Sequence, residues 1–310
     1  MWGMRVLISD PRPDPLAEYL RPRRPDLDIH TRKPSEVTAA DLDWAETLVG
    51  FRRPPVPGWG NLRWIHSIGA GVDAFLFRTD LPDTILLTRS SEDFGPPIAE
   101  YCVARALAVT QHLAQLAAEQ RAARWALISP ETLAGSRVLI VGTGMVGRGI
   151  ARRFAAMGCR IDGLSRGGSP RDPFGTVRPM TEFGEAVRGA RWLVLAVPLT
   201  EATYHLLDHS RLAQCGGAYL INIGRGKTVD ERALPEALDR GWLSGAALDV
   251  FEAEPLPASS PLWQHPKVTI SPHCSGVTTT PAAGDGFLEC LVAVERGEPP
   301  RWVVERAAEY

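Results

Sequence analysis

The sequence predicts an α/β protein of two domains, the second built on a doubly wound parallel sheet. Three observations predict it. The chain has 310 residues, and a domain takes about 100–200. From about residue 135, short apolar β-branched runs alternate with helix-like stretches. A glycine-rich turn joins the first of those runs to the first of those helices.

In the second half, strands are expected at Arg137–Val141, Arg160–Leu164, Trp192–Val197, Tyr219–Ile223, Ala246–Val250 and Val268–Ser271. Near-continuous apolar strands separated by helices imply a parallel sheet covered on both faces. Helices are expected at Gly147–Met157 and Asp230–Arg240, the latter capped by Asp230 and stopped by Gly241. In the first hundred residues the alternation is less regular. Strands are expected at Arg5–Ser9, Leu48–Phe51, Trp64–Ser67 and Ile85–Thr88. This predicts a smaller α/β domain. One long helix should run from Pro97 to about Arg121, with proline in its first turn. A last helix, Gly286–Arg296, lies beyond the sixth strand and can return to the first domain.

Composition excludes several classes. The formal charge is −2, from 34 basic and 36 acidic residues, whereas a nucleic-acid binder is usually strongly basic. Among the basic residues only Lys33, Lys227 and Lys267 are lysines. The arginine excess fits a GC-rich genome until a particular arginine shows a role. The longest apolar runs, such as Trp192–Val197, fall far short of the ~20 residues that span a bilayer. The run Val6–Ile8, closed by Asp10, is too short for a signal peptide. Five cysteines at irregular spacing match neither a disulfide framework nor a zinc motif. No metal, nucleic-acid or membrane partner is expected, and the compartment should be reducing and cytoplasmic.

The turn Gly142-Thr-Gly144-Met145-Val146-Gly147 carries the G-x-G-x-x-G spacing directly after a strand and before a helix. Gly142 permits the tight turn, Gly144 lets backbone approach a pyrophosphate, and Gly147 allows close helix–strand packing. The signal is a Rossmann-type dinucleotide site. An NAD site places Asp or Glu after the second strand. Here Ser165 and Arg166 stand there, and Asp162 lies inside the strand. A hydroxyl and a guanidinium suit a 2′-phosphate, so NADP(H) is favoured and NAD(H) remains open.

Three segments end the last strands: Asn222-Ile223-Gly224-Arg225-Gly226, Leu248–Pro255 and Ser271-Pro272-His273. Ligands of open α/β sheets bind outside such strand ends. An Arg, a carboxylate and a His converging there can polarise a carbonyl and move a proton.

With these segments in place, the sequence resembles the D-2-hydroxyacid dehydrogenase family over essentially its whole length. The matching stretches are Ser67–Asp73, Val141–Gly147, Val197–Thr200, Ile221–Gly226, Gly245–Pro255 and Ser271–His273, with Trp125 and Leu133–Gly135. The resemblance implies a discontinuous, flavodoxin-like α/β substrate domain of residues 1–99 and 277–310, a nucleotide domain of 100–276, and a homodimer joined through the nucleotide domains. It implies that Arg225 binds the substrate carboxylate and keto oxygen, that His273 is the general acid/base, and that Glu254 pairs with it. Glu252 does not align. The backbone of Gly69, Ala70 and Gly71 would hold the substrate carboxylate. Asp249 would lie near the nicotinamide carboxamide. Met145, Val146, Val197, Pro198, Ile223, Gly224 and Ser275 would complete the cofactor site. The implied reaction is hydride transfer from the reduced nicotinamide to C2 of a 2-keto acid, giving the D-2-hydroxy acid.

Two regions depart from the family pattern. Cys274-Ser275-Gly276 is less typical, and Cys274 is expected to be buried and inert. Arg89–Gly95 resembles the glyoxylate/hydroxypyruvate reductase-like branch. Alternatives are the same chemistry on a bulkier keto acid, with Phe51, Arg52, Arg53 and Phe94 as lining candidates, or a cofactor-sensing corepressor-like binding protein. No regulatory domain is expected after Tyr310.

Overall fold

A computed structural model describes residues 3–90 and 94–308. The chain divides into two compact units, one of residues 1–92 with 277–310 and one of 93–276.

The first unit is a five-stranded parallel sheet. Its strands are β1 (Arg5–Ser9), β2 (Asp28–Arg32), β3 (Thr47–Gly50), β4 (Trp64–Ser67) and β5 (Leu86–Arg89). They lie in the order β2-β1-β3-β4-β5, the flavodoxin-like arrangement. Side chains alternate across each strand, so neighbours enter opposite cores. Val6 and Ile8 pack with Leu16, Leu20 and Phe287, while Leu7 packs with Leu48, Ile65 and Phe75. Both faces are thus covered. The helix Thr280–Glu295 belongs to this unit: Tyr19 donates to Asp285 at 2.8 Å, and Gly284 leaves the room that the Tyr19 ring occupies.

The second unit has seven parallel strands: β6 (Arg137–Val141), β7 (Arg160–Ser165), β8 (Thr176–Pro179), β9 (Trp192–Leu195), β10 (Ala218–Asn222), β11 (Leu243–Leu248) and β12 (Val268–Ile270). Their order is β12-β11-β10-β9-β6-β7-β8. The chain runs outward from β6 one way and from β9 the other, so the order reverses between them. That crevice is where doubly wound sheets bind ligands.

Several expectations need correction. β2 and β8 were not expected. Both are sheet edges, and their polar sequences, DIHTR and TVRP, carry no apolar run. The long helix is two, Gly95–Thr110 and Leu113–Arg121, separated where His112 takes a left-handed φ of 50°. The second of these buries no residue, so packing within the unit does not hold it collinear. Asp230 does not cap the next helix, which starts at Leu234 with Pro235 in its first turn; the carboxylate binds the backbone and guanidinium of Arg232 instead. The last helix begins at Thr280, capped by Thr279, rather than at Gly286. The units part at 92/93 rather than 99/100. The start of the helix Gly95–Thr110 packs against the helix Met145–Ala156, where a Cβ on Gly149 would lie 2.7 Å from the Cα of Gly95.

Candidate active site

The parallel sheet of the second unit brings every strand's C-terminal end to one edge, and the expected cofactor and catalytic residues follow those ends. Gly142 to Gly147 follow β6, Ser165 ends β7 with Arg166 after it, and Val197 and Pro198 follow β9. Ile223, Gly224 and Arg225 follow β10, Asp249 follows β11, and His273 and Ser275 follow β12.

The glycine turn separates three physical demands. Gly142 has φ 102°, and a Cβ there would lie 2.3 Å from the carbonyl oxygen of Ala196. Gly147 faces the Gly142 carbonyl at a distance no side chain could share. Gly144 is exposed, and a Cβ on it would meet nothing within 4 Å. It also caps the 12-residue helix Met145–Ala156. A helix N-terminus with open space before it fits a pyrophosphate. Met145 is exposed and Val146 half-buried beside it. The Ser165 hydroxyl accepts from the Gly168 N–H at 3.0 Å, and Arg166 is exposed. A second guanidinium, Arg171, donates to the Thr143 carbonyl of the turn at 3.3 Å. Sequence reasoning missed it, although it lies only five residues beyond Arg166.

His273 Nδ1 and a Glu254 carboxylate oxygen lie 2.9 Å apart, both side chains largely shielded. The other Glu254 oxygen accepts from the Phe251 N–H at 3.1 Å, which fixes the carboxylate. His273 has a left-handed φ of 51°, costly for a residue with a Cβ. Its N–H donates to the Asp249 carbonyl at 2.8 Å, which helps hold it there. Such outliers cluster at functional sites. Arg225 starts a short 3₁₀ turn after β10. Its carbonyl accepts from Thr228 Oγ1 at 2.6 Å and Asn222 Nδ2 at 3.2 Å, and its guanidinium donates to the Gly224 carbonyl at 2.8 Å. β10, β11 and β12 are adjacent, so Arg225, Asp249 and His273 leave neighbouring strands.

Asp249 is fully buried. Its carboxylate accepts from Ser271 Oγ at 2.5 Å, the Cys274 N–H at 3.0 Å and the Ser275 N–H at 2.9 Å. Burial alone would raise its pKa, but the bonds from Ser271 and Ser275 prevail and hold it below the usual carboxylate range. Both oxygens are committed to the loop that carries His273, a role the sequence did not indicate. Cys274 is exposed, contrary to expectation. Its thiol pKa is raised, by partial desolvation of the sulfur first and the Asp249 charge second, which disfavours the reactive thiolate. Glu252 binds His205 Nε2 at 3.1 Å and the Glu231 N–H at 3.1 Å.

Gly69, Ala70 and Gly71 belong to the first unit. Ser67 Oγ donates to the carbonyls of Gly69 and Gly71 at 3.2 and 2.9 Å, and Arg89 to that of Ala70 at 3.0 Å. A Cβ on Gly69 would lie 2.6 Å from the Phe51 ring, so a larger residue there would have to displace that ring. Of the other lining candidates, Arg53 stacks on Trp59 and pairs with Asp80 at 2.8 Å, while Phe94 is buried against Gly276. Ser91, Glu92 and Asp93 of the Arg89–Gly95 stretch lie outside the described residues. Among the described residues no helix is long and apolar enough to cross a membrane.

The family model of the D-isomer specific 2-hydroxyacid dehydrogenase NAD binding domain matches residues 103–275. A glyoxylate/hydroxypyruvate reductase A from Serratia proteamaculans is 31% identical over 299 residues, covering 92% of this chain and 93% of that protein. A D-isomer specific 2-hydroxyacid dehydrogenase from Xanthobacter autotrophicus Py2, solved with NADPH and MES, superposes with a TM-score of 0.85 at 30% identity over the full length of both chains. An NADPH-dependent glyoxylate/hydroxypyruvate reductase from Sinorhizobium meliloti, solved with NADP and sulfate, gives 0.83 at 25% identity, covering 99% of this chain and all of that one. The chain belongs to the D-isomer specific 2-hydroxyacid dehydrogenase family.

Proposed function

We propose that this oxidoreductase reduces a small 2-keto acid of the glyoxylate/hydroxypyruvate type to the D-2-hydroxy acid, with NADP(H) as the preferred cofactor. The observation that carries the reading is the His273–Glu254 pair, 2.9 Å apart at the edge where the glycine turn also opens. A dinucleotide held there would supply the hydride for the keto carbon. Arg225 would stabilise the negative charge developing on the keto oxygen, and His273 would deliver a proton to it. Glu254 would orient the imidazole and offset its positive charge. Backbone of Gly69 to Gly71, with its carbonyls tied back by Ser67 and Arg89, would receive the substrate carboxylate. This assigns substrate binding to the first unit and the cofactor to the second.

Ser165 and Arg166, with Arg171 nearby, support the choice of NADP(H), since guanidinium groups match phosphate in charge and geometry. Gly142, Gly144, Met145, Val146, Gly147, Val197, Pro198, Ile223, Gly224 and Ser275 would line the remainder of the cofactor site. The protein is proposed to act as a homodimer in the cytoplasm. Exposed Leu113, Leu116, Trp125 and Leu127 support an association surface on the second unit, and five unpaired thiols support a reducing setting.

The test is cofactor oxidation by purified protein with NADPH and NADH over a panel of 2-keto acids of increasing size. Turnover of glyoxylate or hydroxypyruvate, faster with NADPH, is expected. No oxidation of either cofactor with any member would overturn the enzymatic reading, and preference for NADH would overturn the role of Ser165 and Arg166.

A further inference from the structure

The buried Asp249 carboxylate is the end of a hydrogen-bond chain that begins on a different element. Tyr101, on the helix Gly95–Thr110, has its hydroxyl 2.6 Å from Ser271 Oγ, and Ser271 Oγ lies 2.5 Å from Asp249. Chemistry fixes the direction. An ionised carboxylate only accepts, so Ser271 must give its single hydroxyl proton to Asp249. The Ser271 oxygen is then left to accept, and Tyr101 must be its donor. The Arg105 guanidinium, one turn along the same helix, sits over the Tyr101 ring, 4.7 Å from its centroid. The far end of the chain is the backbone of the His273 loop, because Asp249 also takes the N–H groups of Cys274 and Ser275. A residue in left-handed φ keeps that conformation only if its surroundings over-determine it. These bonds supply that constraint at His273.

We propose that Tyr101 is a positioning residue for His273, acting through Ser271 on the Asp249 carboxylate that anchors the loop 271–275. The proposal rests on the reading of His273 as the acid/base. Tyr101 itself touches no reacting atom. By donating to Ser271 it strengthens the Ser271 bond to Asp249, as linked hydrogen bonds polarise one another. The carboxylate is thereby fixed for the two loop N–H groups, and the imidazole is fixed against Glu254.

The test is a double-mutant cycle of Tyr101→Phe and Ser271→Ala, assayed with NADPH and glyoxylate beside His273→Gln. Tyr101→Phe should lower kcat about fivefold, the size expected of one buried hydrogen bond, with KM for glyoxylate little changed. Ser271→Ala should cost more, and Ser271→Thr, which keeps the donor, should restore most of it. If the two residues act in one chain, the double variant should match Ser271→Ala alone rather than show the product of the two losses. Should Ser271→Ala fail to fold, Ser271→Gly, which also lacks the hydroxyl, takes its place in the cycle with the same expectation. Amide exchange of a peptide covering residues 271–276 should quicken in Tyr101→Phe. Multiplicative losses, an unchanged kcat or unchanged exchange would overturn the relay, while a His273→Gln loss in the same experiment would leave the acid/base assignment standing. Full activity in His273→Gln would overturn both.

Discussion

At the scale of single residues, the glycine turn offers the sharpest contrast. Gly142 and Gly144 are two positions apart, yet their environments predict opposite outcomes. Gly142→Ala forces a side chain onto the Ala196 carbonyl at a φ of 102°, so the fold itself should suffer. A lowered melting temperature or insoluble protein is expected, because both strain and backbone overlap oppose it. Gly144→Ala meets open space at an ordinary φ of −73°. It should melt like the parent and bind NADPH at least tenfold more weakly, read by quenching of protein fluorescence. Equal affinity in Gly144→Ala would mean that the pyrophosphate lies elsewhere. Arg166→Ala should weaken NADPH binding about tenfold and leave NADH unchanged, the expected signature of a contact to the 2′-phosphate alone. Arg225 and His273 stood out as candidates in the sequence because each lies in a short motif just after a strand, while Glu254 was singled out from Glu252 by the family resemblance. Tyr101 was not. It reaches Ser271 across 170 positions of sequence, and a tyrosine in a half-buried helix carries no local mark of that bond.

At the scale of elements, the central strands were legible and the edge strands were not. β6, β9 and β10 are buried on both faces and appear as apolar runs. β2 and β8 are half solvated, and their sequences lack the pattern that marks a strand. The break at His112 was illegible for a related reason, since an apolar repeat continues through it. One element makes a testable statement about stability. In β4, His66 is wholly buried, with Nδ1 2.8 Å from Thr88 Oγ1 and Nε2 3.0 Å from Ser90 Oγ. Burial pushes its pKa down from 6.5 to about 3. The folded protein therefore keeps this imidazole neutral while the unfolded chain takes up a proton below pH 6.5. Stability should accordingly fall as pH drops from 6.5 toward 3, by an amount on the order of a few kcal/mol. The urea midpoint of the parent should decline over that window more steeply than that of His66→Gln. Parallel declines would show that this histidine does not carry the effect.

At the scale of the whole molecule, two parallel sheets divide the proposed labour. One unit offers a small-residue loop for an anionic group, and the other a strand-end edge for dinucleotide and proton transfer. The proposed dimer has its own test. Leu116→Glu with Trp125→Glu should convert a dimer to a monomer by light scattering, since both side chains are exposed and neither supports the core of its unit. An unchanged mass would place any association surface elsewhere. The central claim is that His273, held by Glu254, delivers the proton that accompanies hydride transfer. Reduction consumes that proton and oxidation releases it. The most direct measurement is therefore kcat/KM against pH in both directions, under conditions where chemistry limits the rate. Keto-acid reduction should fall as pH rises and hydroxy-acid oxidation should rise, both limbs vanishing in His273→Gln with a loss of about 10²–10⁴-fold. Identical pH profiles in the two directions, or a His273→Gln variant that keeps the parent's limbs, would contradict it.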